Sequence, residues 1–123
     1  MADDAISLQF QMSLANGTLA DSYSASNLAA DQVTAALVRN VQTIPFATHN
    51  ALDLGSVVTP GWSVFVNLSE TDFVQVGIDI AAVFYPFLTL EPLEQMMCHI
   101  ATAAPYAQAD TAAVDLFYII YNT

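Results

Sequence analysis

Apolar and polar residues alternate along most of this chain with the period of two that is typical of β-strands. The most regular stretch is residues 6–14, where five apolar residues are separated by Ser and Gln. The dipeptide Asn16-Gly17 follows, and it suits a type I′ hairpin turn because both residues tolerate positive φ. We therefore predict a hairpin with its second strand at about residues 18–24, followed by a connector of small residues at 24–30.

Three more strands are predicted in the middle of the chain. Alternating apolar residues mark 62–68, 74–80 and 84–90, and the polar run 67–72 suits a hairpin loop between the first two. β-Branched and aromatic residues dominate this stretch, which disfavours a helix. Pro86 has no N–H to donate, so the third strand should lie at a sheet edge or carry a bulge at that residue.

The segment 31–44 is open to two interpretations. Asp31 would cap a helix that has its apolar residues on one side. Alternatively, residues 33–37 and 41–44 form two strands, which we prefer because Val and Thr recur and the flanking segments are β. The remaining predictions are a short strand at 52–58 broken at Gly55, a strand at 95–101, a loop at 103–109 and a last strand at 114–121, which is apolar on both faces and so should be buried on both sides.

About eight to ten short strands, with no alternation of strands and helices, predict an all-β fold. Its expected architecture is an antiparallel β-sandwich that is jelly-roll-like. The length of 123 residues fits one domain. We place that domain over 1–123, with residues 1–5 as a flexible N-terminal tail.

The chain is apolar and poor in charge. It has 55% hydrophobic and 11% charged residues, against roughly 25% charged residues in an average soluble domain. A face without charge is a candidate to be covered by another subunit. The alternative is a surface solvated by Ser, Thr, Asn and Gln.

The few charges are almost all negative. Arg39 is the only Lys or Arg against 12 carboxylates, and the net charge is −11. This balance argues against binding nucleic acid or an anionic membrane surface, because both need cations on the protein. The acidity also fits a salty environment or a basic partner. The acidic start of the chain lacks the basic region of a secretory signal, and Asp79 and Pro86 interrupt the most apolar stretch, so we expect cytoplasmic synthesis and no membrane span.

The residue types that carry chemistry are scarce and scattered. Cys98 is the single cysteine and is expected to be a small buried apolar residue. His49, in a predicted loop, and His99, in a predicted strand, have no second ligand at a metal-binding spacing. We therefore expect no catalysis, no metal and no cofactor.

Two weaker possibilities concern the loop acids and the aromatic residues. A calcium site could form among carboxylates near strand ends, although solvated acids are the simpler interpretation; these are Asp53, Glu70, Asp72, Asp79 and Asp110. A sugar-binding platform could form among aromatic side chains, although core or interface positions are simpler; these are Trp62, Tyr85, Tyr106, Tyr118 and Tyr121.

Three segments carry a resemblance to a known group of proteins. They are LDLGSVVTPGWSVFVNLSETDFVQVGID at 52–79, FYPFLTLEPLE at 84–94 and YAQADTAAVDLFYII at 106–120. Together they resemble small virion-associated β-sandwich proteins of tailed bacteriophages, among which head decoration (cement) proteins are one role. The relatives often have basic residues where this chain reads Glu-Pro-Leu-Glu at 91–94. The resemblance implies a virion structural protein whose partners are its own copies and other virion proteins, including the major capsid protein.

The first strand is the predicted place of contact, because a regular apolar strand can pair at its edge or pack on a partner. The interface candidates are Ile6, Leu8, Phe10, Tyr23 and the loop residue Tyr106. The alternative functions are a tail or adaptor protein and a receptor- or carbohydrate-binding virion module, and an enzyme ranks behind both.

Overall fold

The computed structural model describes residues 5–32 and 35–122. Residues 1–4 of the predicted tail lie outside the described residues, and residue 5 begins the first strand. The described part of the chain contains strands, turns and loops but no helix. Its strands are β1 (Ala5–Asn16), β2 (Leu19–Asp31), β3 (Leu37–Ile44), β4 (Asn50–Ala51), β5 (Pro60–Asn67), β6 (Val74–Ile80), β7 (Val83–Leu90), β8 (Gln95–His99), β9 (Tyr106–Ala109) and β10 (Val114–Asn122).

The chain divides into two compact units, Met1–Ala35 and Ala36–Thr123. The first contains the hairpin of β1 and β2, and the second contains the eight remaining strands. All strand pairs are antiparallel. The predicted all-β, antiparallel sandwich is therefore confirmed, whereas the assignment of one domain to 1–123 stays a prediction.

The hairpin is longer than its sequence suggests. β2 runs to Asp31, so the predicted connector at 24–30 is wrong. Asn16 pairs with Leu19, which leaves Gly17 and Thr18 as the two turn residues. Of these two, Gly17 alone has positive φ, at 60°. This is the pattern of a type II′ turn with Gly first rather than the predicted type I′ turn.

The second unit consists of two four-stranded sheets, β3-β10-β5-β8 and β4-β9-β6-β7. Its hairpins are nested, because β6 pairs with β7, β5 with β8, β4 with β9 and β3 with β10. Each outer pair encloses the next inner pair along the chain, and successive pairs alternate between the sheets. The jelly-roll detail stays a prediction, which this nesting supports.

The core lies between these two sheets. Alternate residues of β10 from Val114 to Ile120 are at most 1% exposed, and Val74 and Val76 of β6 share the same buried cluster. The other face of β10 is half-buried, so the predicted burial on both sides is incomplete. Most of the buried apolar cluster comes from alternating strand positions, as a two-layer sandwich requires.

Three local predictions are wrong. Residues 37–44 form the single strand β3, so neither the helix nor the pair of strands proposed for 31–44 is correct. Residues 33 and 34 lie outside the described part. Residues 52–58 are turns and loop, with only Asn50–Ala51 paired before them. The predicted loop 103–109 contains β9, which pairs with both β4 and β6. The strand predicted at 95–101 is confirmed in its first part and ends at His99.

The prediction for Pro86 is confirmed in both its alternatives. β7 is the last strand of its sheet. Its register with β6 shifts between Val76–Leu88 and Gly77–Pro86, so one residue of β7 is left without an opposite partner. Proline tolerates this place because an edge strand with a bulge does not need every N–H in the ladder.

Candidate interaction surfaces and the His49 cluster

The hairpin has one apolar face and one polar face. Cross-strand neighbours on the apolar face include Leu8–Leu28, Phe10–Ala25 and Met12–Tyr23. On the opposite face they include Gln11–Ser24 and Ser13–Ser22. We call the first surface the hairpin apolar face; its residues are Ile6, Leu8, Phe10, Met12, Leu14, Leu19, Tyr23, Ala25 and Leu28, with Asp21 opposite Leu14 near the turn.

A bulge in β2 makes this face continuous. Leu8 faces Leu28 and Phe10 faces Ala25, so one residue of β1 lies opposite two residues of β2. Tyr23 and Leu28 would point to opposite sides of a regular strand, because they are an odd number of residues apart. The extra residue brings both onto the side of Leu8 and Met12.

Exposure on the hairpin apolar face increases toward its turn. Ile6 is 7% exposed, and Leu8 and Phe10 are half-buried. Met12 is 71% exposed and Tyr23 is 59% exposed. Four of the five predicted interface residues therefore lie on one surface, and its turn end presents large apolar side chains to solvent.

Tyr106, the fifth predicted interface residue, lies elsewhere. It begins β9 and is half-buried, so its assignment to a surface loop is wrong. Its ring meets the His49 ring edge-on at 5.5 Å between centroids. It serves as a packing partner within the sandwich.

His49 is the centre of a small cluster that sequence reasoning did not find. Its Nε2 lies 2.5 Å from Oδ2 of Asp79, and its ring stacks on Phe84 at 5.4 Å between centroids. This hydrogen bond is the main reason why the pKa of Asp79 lies below its usual value. His49, Asp79 and Tyr106 come from segments far apart along the chain, and Phe84 follows Asp79 across the turn between β6 and β7. No spacing in the sequence could have joined His49 to the other three.

The cluster fits a structural role. His49 precedes β4 and Asp79 lies in β6. Their hydrogen bond therefore connects the segment before β4 to an inner strand of the same sheet. Asp79 also accepts a hydrogen bond from the backbone N–H of Ala82 through Oδ1, at 3.1 Å. Both carboxylate oxygens therefore have partners within the sandwich.

A second exposed surface is formed by the outward residues of β3 and β10. We call it the β3–β10 face; its residues are Leu37, Arg39, Val41 and Thr43 of β3 with Asp115, Phe117, Ile119 and Tyr121 of β10. Leu37 and Val41 are 55% and 51% exposed. Arg39 places its guanidinium 5.3 Å from the ring centroid of Phe117, a cation–π contact. Thr43 donates a hydrogen bond to Oδ1 of Asp115 at 2.7 Å.

The five aromatic residues considered as a sugar-binding platform do not lie on one surface. Tyr118 is fully buried, and its hydroxyl lies 2.7 Å from the carbonyl oxygen of Asp53. Burial raises the pKa of this phenol. Trp62 and Tyr121 lie on one sheet, whereas Tyr85 and Tyr106 lie on the other.

The acidic residues considered for calcium do not form a group of three ligands within the described part of the chain. Asp72 accepts hydrogen bonds from Thr111 and Thr71, which hold the pKa of its carboxyl below the usual value. Asp53 accepts from the backbone N–H of Gly55. Within residues 5–32 and 35–122, no three His, Cys, Asp or Glu side chains are grouped as metal ligands.

The remaining candidates have structural surroundings. Cys98 is half-buried against the core, and burial raises the pKa of its thiol. The His99 ring meets Trp62 edge-on at 5.4 Å between centroids. Among the described residues, no helix is long and apolar enough to cross a membrane.

Comparison with known proteins adds no relative. No family model, no curated protein sequence and no solved structure matches the chain.

Proposed function

We propose that this chain is a structural protein of a tailed-phage virion, a decoration protein that binds and stabilises the head surface. The observation that carries the proposal is the hairpin apolar face, which presents Met12, Leu14 and Tyr23 to solvent. A two-stranded hairpin is marginally stable alone in water. Packing of its apolar face on a neighbouring virion protein would stabilise the hairpin and attach the chain at the same time.

The resemblance noted in the sequence points the same way, and two residues of its longest motif have structural roles. Asn67, in the longest motif, is buried and holds the ends of two loops by hydrogen bonds. Gly77, in the same motif, lies where β7 passes too close for any side chain. Such residues specify a scaffold, and a scaffold acts through its surfaces.

The test is mass spectrometry of purified phage particles that encode the chain, followed by localisation on the particle. We expect the protein at a copy number set by the head symmetry, with antibody label on the head. Label confined to the tail would favour the tail or adaptor alternative. Absence from washed particles would overturn the proposal.

A further inference from the structure

The β3–β10 face is arranged in four rows across the two strands. Antiparallel pairing sets Leu37 beside Tyr121, Arg39 beside Ile119, Val41 beside Phe117 and Thr43 beside Asp115. Successive rows are about 7 Å apart, because they are two residues apart along each strand. The Val41–Phe117 row therefore lies midway between the row with Arg39 and the row with Asp115.

The two residues that carry opposite charges thus occupy rows at equal distances from an apolar centre. Arg39 and Asp115 are both exposed, and their backbone rows are four residues, or about 13 Å, apart along the strands. The Arg39 guanidinium extends toward the central row and lies 5.3 Å from the Phe117 ring centroid. The Thr43 hydroxyl donates a hydrogen bond to one carboxylate oxygen of Asp115, Oδ1. Within the described part of the chain, Arg39 and Asp115 do not form a salt bridge with each other.

This spacing makes the face complementary to itself. Consider a two-fold axis that runs across the strands over the Val41–Phe117 row, between two copies packed face to face. Each strand then lies over the same strand of the other molecule, and the order of the rows along that strand is reversed. Arg39 of each copy then lies over the Thr43–Asp115 pair of the other, which its guanidinium reaches by turning away from the Phe117 ring. Val41 and Phe117 then meet their counterparts at the axis.

The charge of the chain favours this occupant. Two copies with a net charge of −11 each repel one another. Arg39 is the only Lys or Arg. An ion pair between a Lys or Arg of one copy and a carboxylate of the other can therefore form only where Arg39 lies in the contact. The two-fold arrangement uses both copies of Arg39 and places each one against a carboxylate.

We propose that the β3–β10 face binds a second copy of this chain, with two symmetric Arg39–Asp115 ion pairs around a Val41–Phe117 centre. This inference rests on the proposed function, since it names a copy as one partner of an assembly protein. The face measures about 27 by 10 Å, or roughly 270 Å². A standard interface buries about 800 Å² per partner. The contact is therefore expected to be weak in solution and to gain strength where many copies are held side by side.

The experiment uses charge reversal in the full chain. Arg39→Asp places like charges against each other in its own homodimer, and so does Asp115→Arg. Mixed together, the two variants form a heterodimer in which both ion pairs have opposite charges. Sedimentation equilibrium and concentration-dependent amide shifts in NMR spectra report the association.

We expect wild type to dimerise, with concentration-dependent shifts in β3 and β10. Each variant alone should bind itself at least tenfold more weakly, and the equimolar mixture should return to within about threefold of wild type. Glu70→Arg changes the net charge as Asp115→Arg does, at an exposed site outside the face, and should not weaken association. Arg39→Gln and Asp115→Asn are milder replacements if a reversal prevents folding, which circular dichroism will show.

Several results would overturn the inference. They are a wild type that stays monomeric at about 1 mM, equal association of wild type and both variants, or a mixture no stronger than its components. None of them bears on whether the chain is found in phage particles. Conversely, absence from particles with intact mixing behaviour would remove the virion proposal and leave the dimer.

Discussion

The side-chain amide nitrogen of Asn67 lies 3.0 Å from the carbonyl oxygen of Leu90 and donates to it. Asn67 ends β5 in one sheet and Leu90 ends β7 in the other. The same nitrogen is within 2.8 Å of the Asp72 carbonyl and 3.1 Å of the Glu91 carbonyl, and Oδ1 accepts from the N–H of Ser69. One buried amide therefore joins the two layers and fixes the ends of two loops.

Replacing this amide with a carboxylate should be severely destabilising. Asn67→Asp keeps the shape but leaves buried carbonyl oxygens facing an oxygen without N–H donors. We expect a loss of about 3 kcal/mol in the free energy of unfolding, measured by urea titration. Asn50→Asp adds the same charge on an exposed strand and should cost far less. Equal costs would show that the hydrogen bonds of Asn67 contribute little.

The turn between β6 and β7 should be open to improvement. Ile80 pairs with Val83, so Ala81 and Ala82 form a two-residue loop, and their φ angles are 54° and 66°. Positive φ at both positions is the requirement of a type I′ turn, which Asn-Gly meets better than Ala-Ala. The double replacement Ala81→Asn with Ala82→Gly should raise the free energy of unfolding by about 1–2 kcal/mol. Ala104→Gly, at a loop position without positive φ, should give no gain in the same urea titration.

The sequence predicted best where one regular strand carries one regular pattern. β10 and β6 were found because Val114 to Ile120 and Val74 to Ile80 alternate without interruption. The predicted β2 was too short because the bulge moves the apolar residues of this face from odd positions, at Tyr23, to even positions, at Leu28. A period-two pattern cannot be followed across such a step.

The sequence did not predict the short strands β4 and β9 or the His49 cluster, for a different reason. β4 has two residues and β9 has four, so neither holds enough residues to show a period. Their pairing depends on strands distant in the chain. His49 and Asp79 meet for the same reason, because the nested hairpins bring them together across 30 residues.

The apolar end of the hairpin should matter for attachment more than for folding of the sandwich. We expect Met12→Ser with Tyr23→Ser to weaken binding to phage heads that lack the protein by at least tenfold, because both exposed side chains leave the hairpin apolar face. Co-sedimentation with the heads measures the binding. Ser13→Ala with Ser22→Ala changes the neighbouring pair on the polar face and should bind as wild type. If the polar-face variant lost binding equally, the contact would lie on the other side of the hairpin.

Gly77 should be irreplaceable for steric reasons. A Cβ at this residue would lie 2.2 Å from the backbone carbonyl oxygen of Tyr85, which cannot move without breaking the β6–β7 register. We expect Gly77→Ala to cost about 3 kcal/mol in urea unfolding. Gly17→Ala is the matched comparison, because its φ is +60° but nothing lies within 4 Å of its Cβ. That change should cost only about 1 kcal/mol, and equal losses would contradict the steric argument.

The bond between His49 and Asp79 should make stability depend on pH in the acid range. It is the first cause of the lowered pKa of Asp79, and the N–H of Ala82 adds to it. An unfolded aspartate titrates near about 3.9. Because the folded pKa is lower, the stabilisation is complete above about pH 5 and is lost as the pH falls through the folded value. We therefore expect Asp79→Asn to be less stable than wild type at neutral pH, with a difference that shrinks below about pH 4 in urea titrations. In a His49→Gln background the same replacement should show a smaller dependence on pH, and an unchanged dependence would mean that His49 is not its cause.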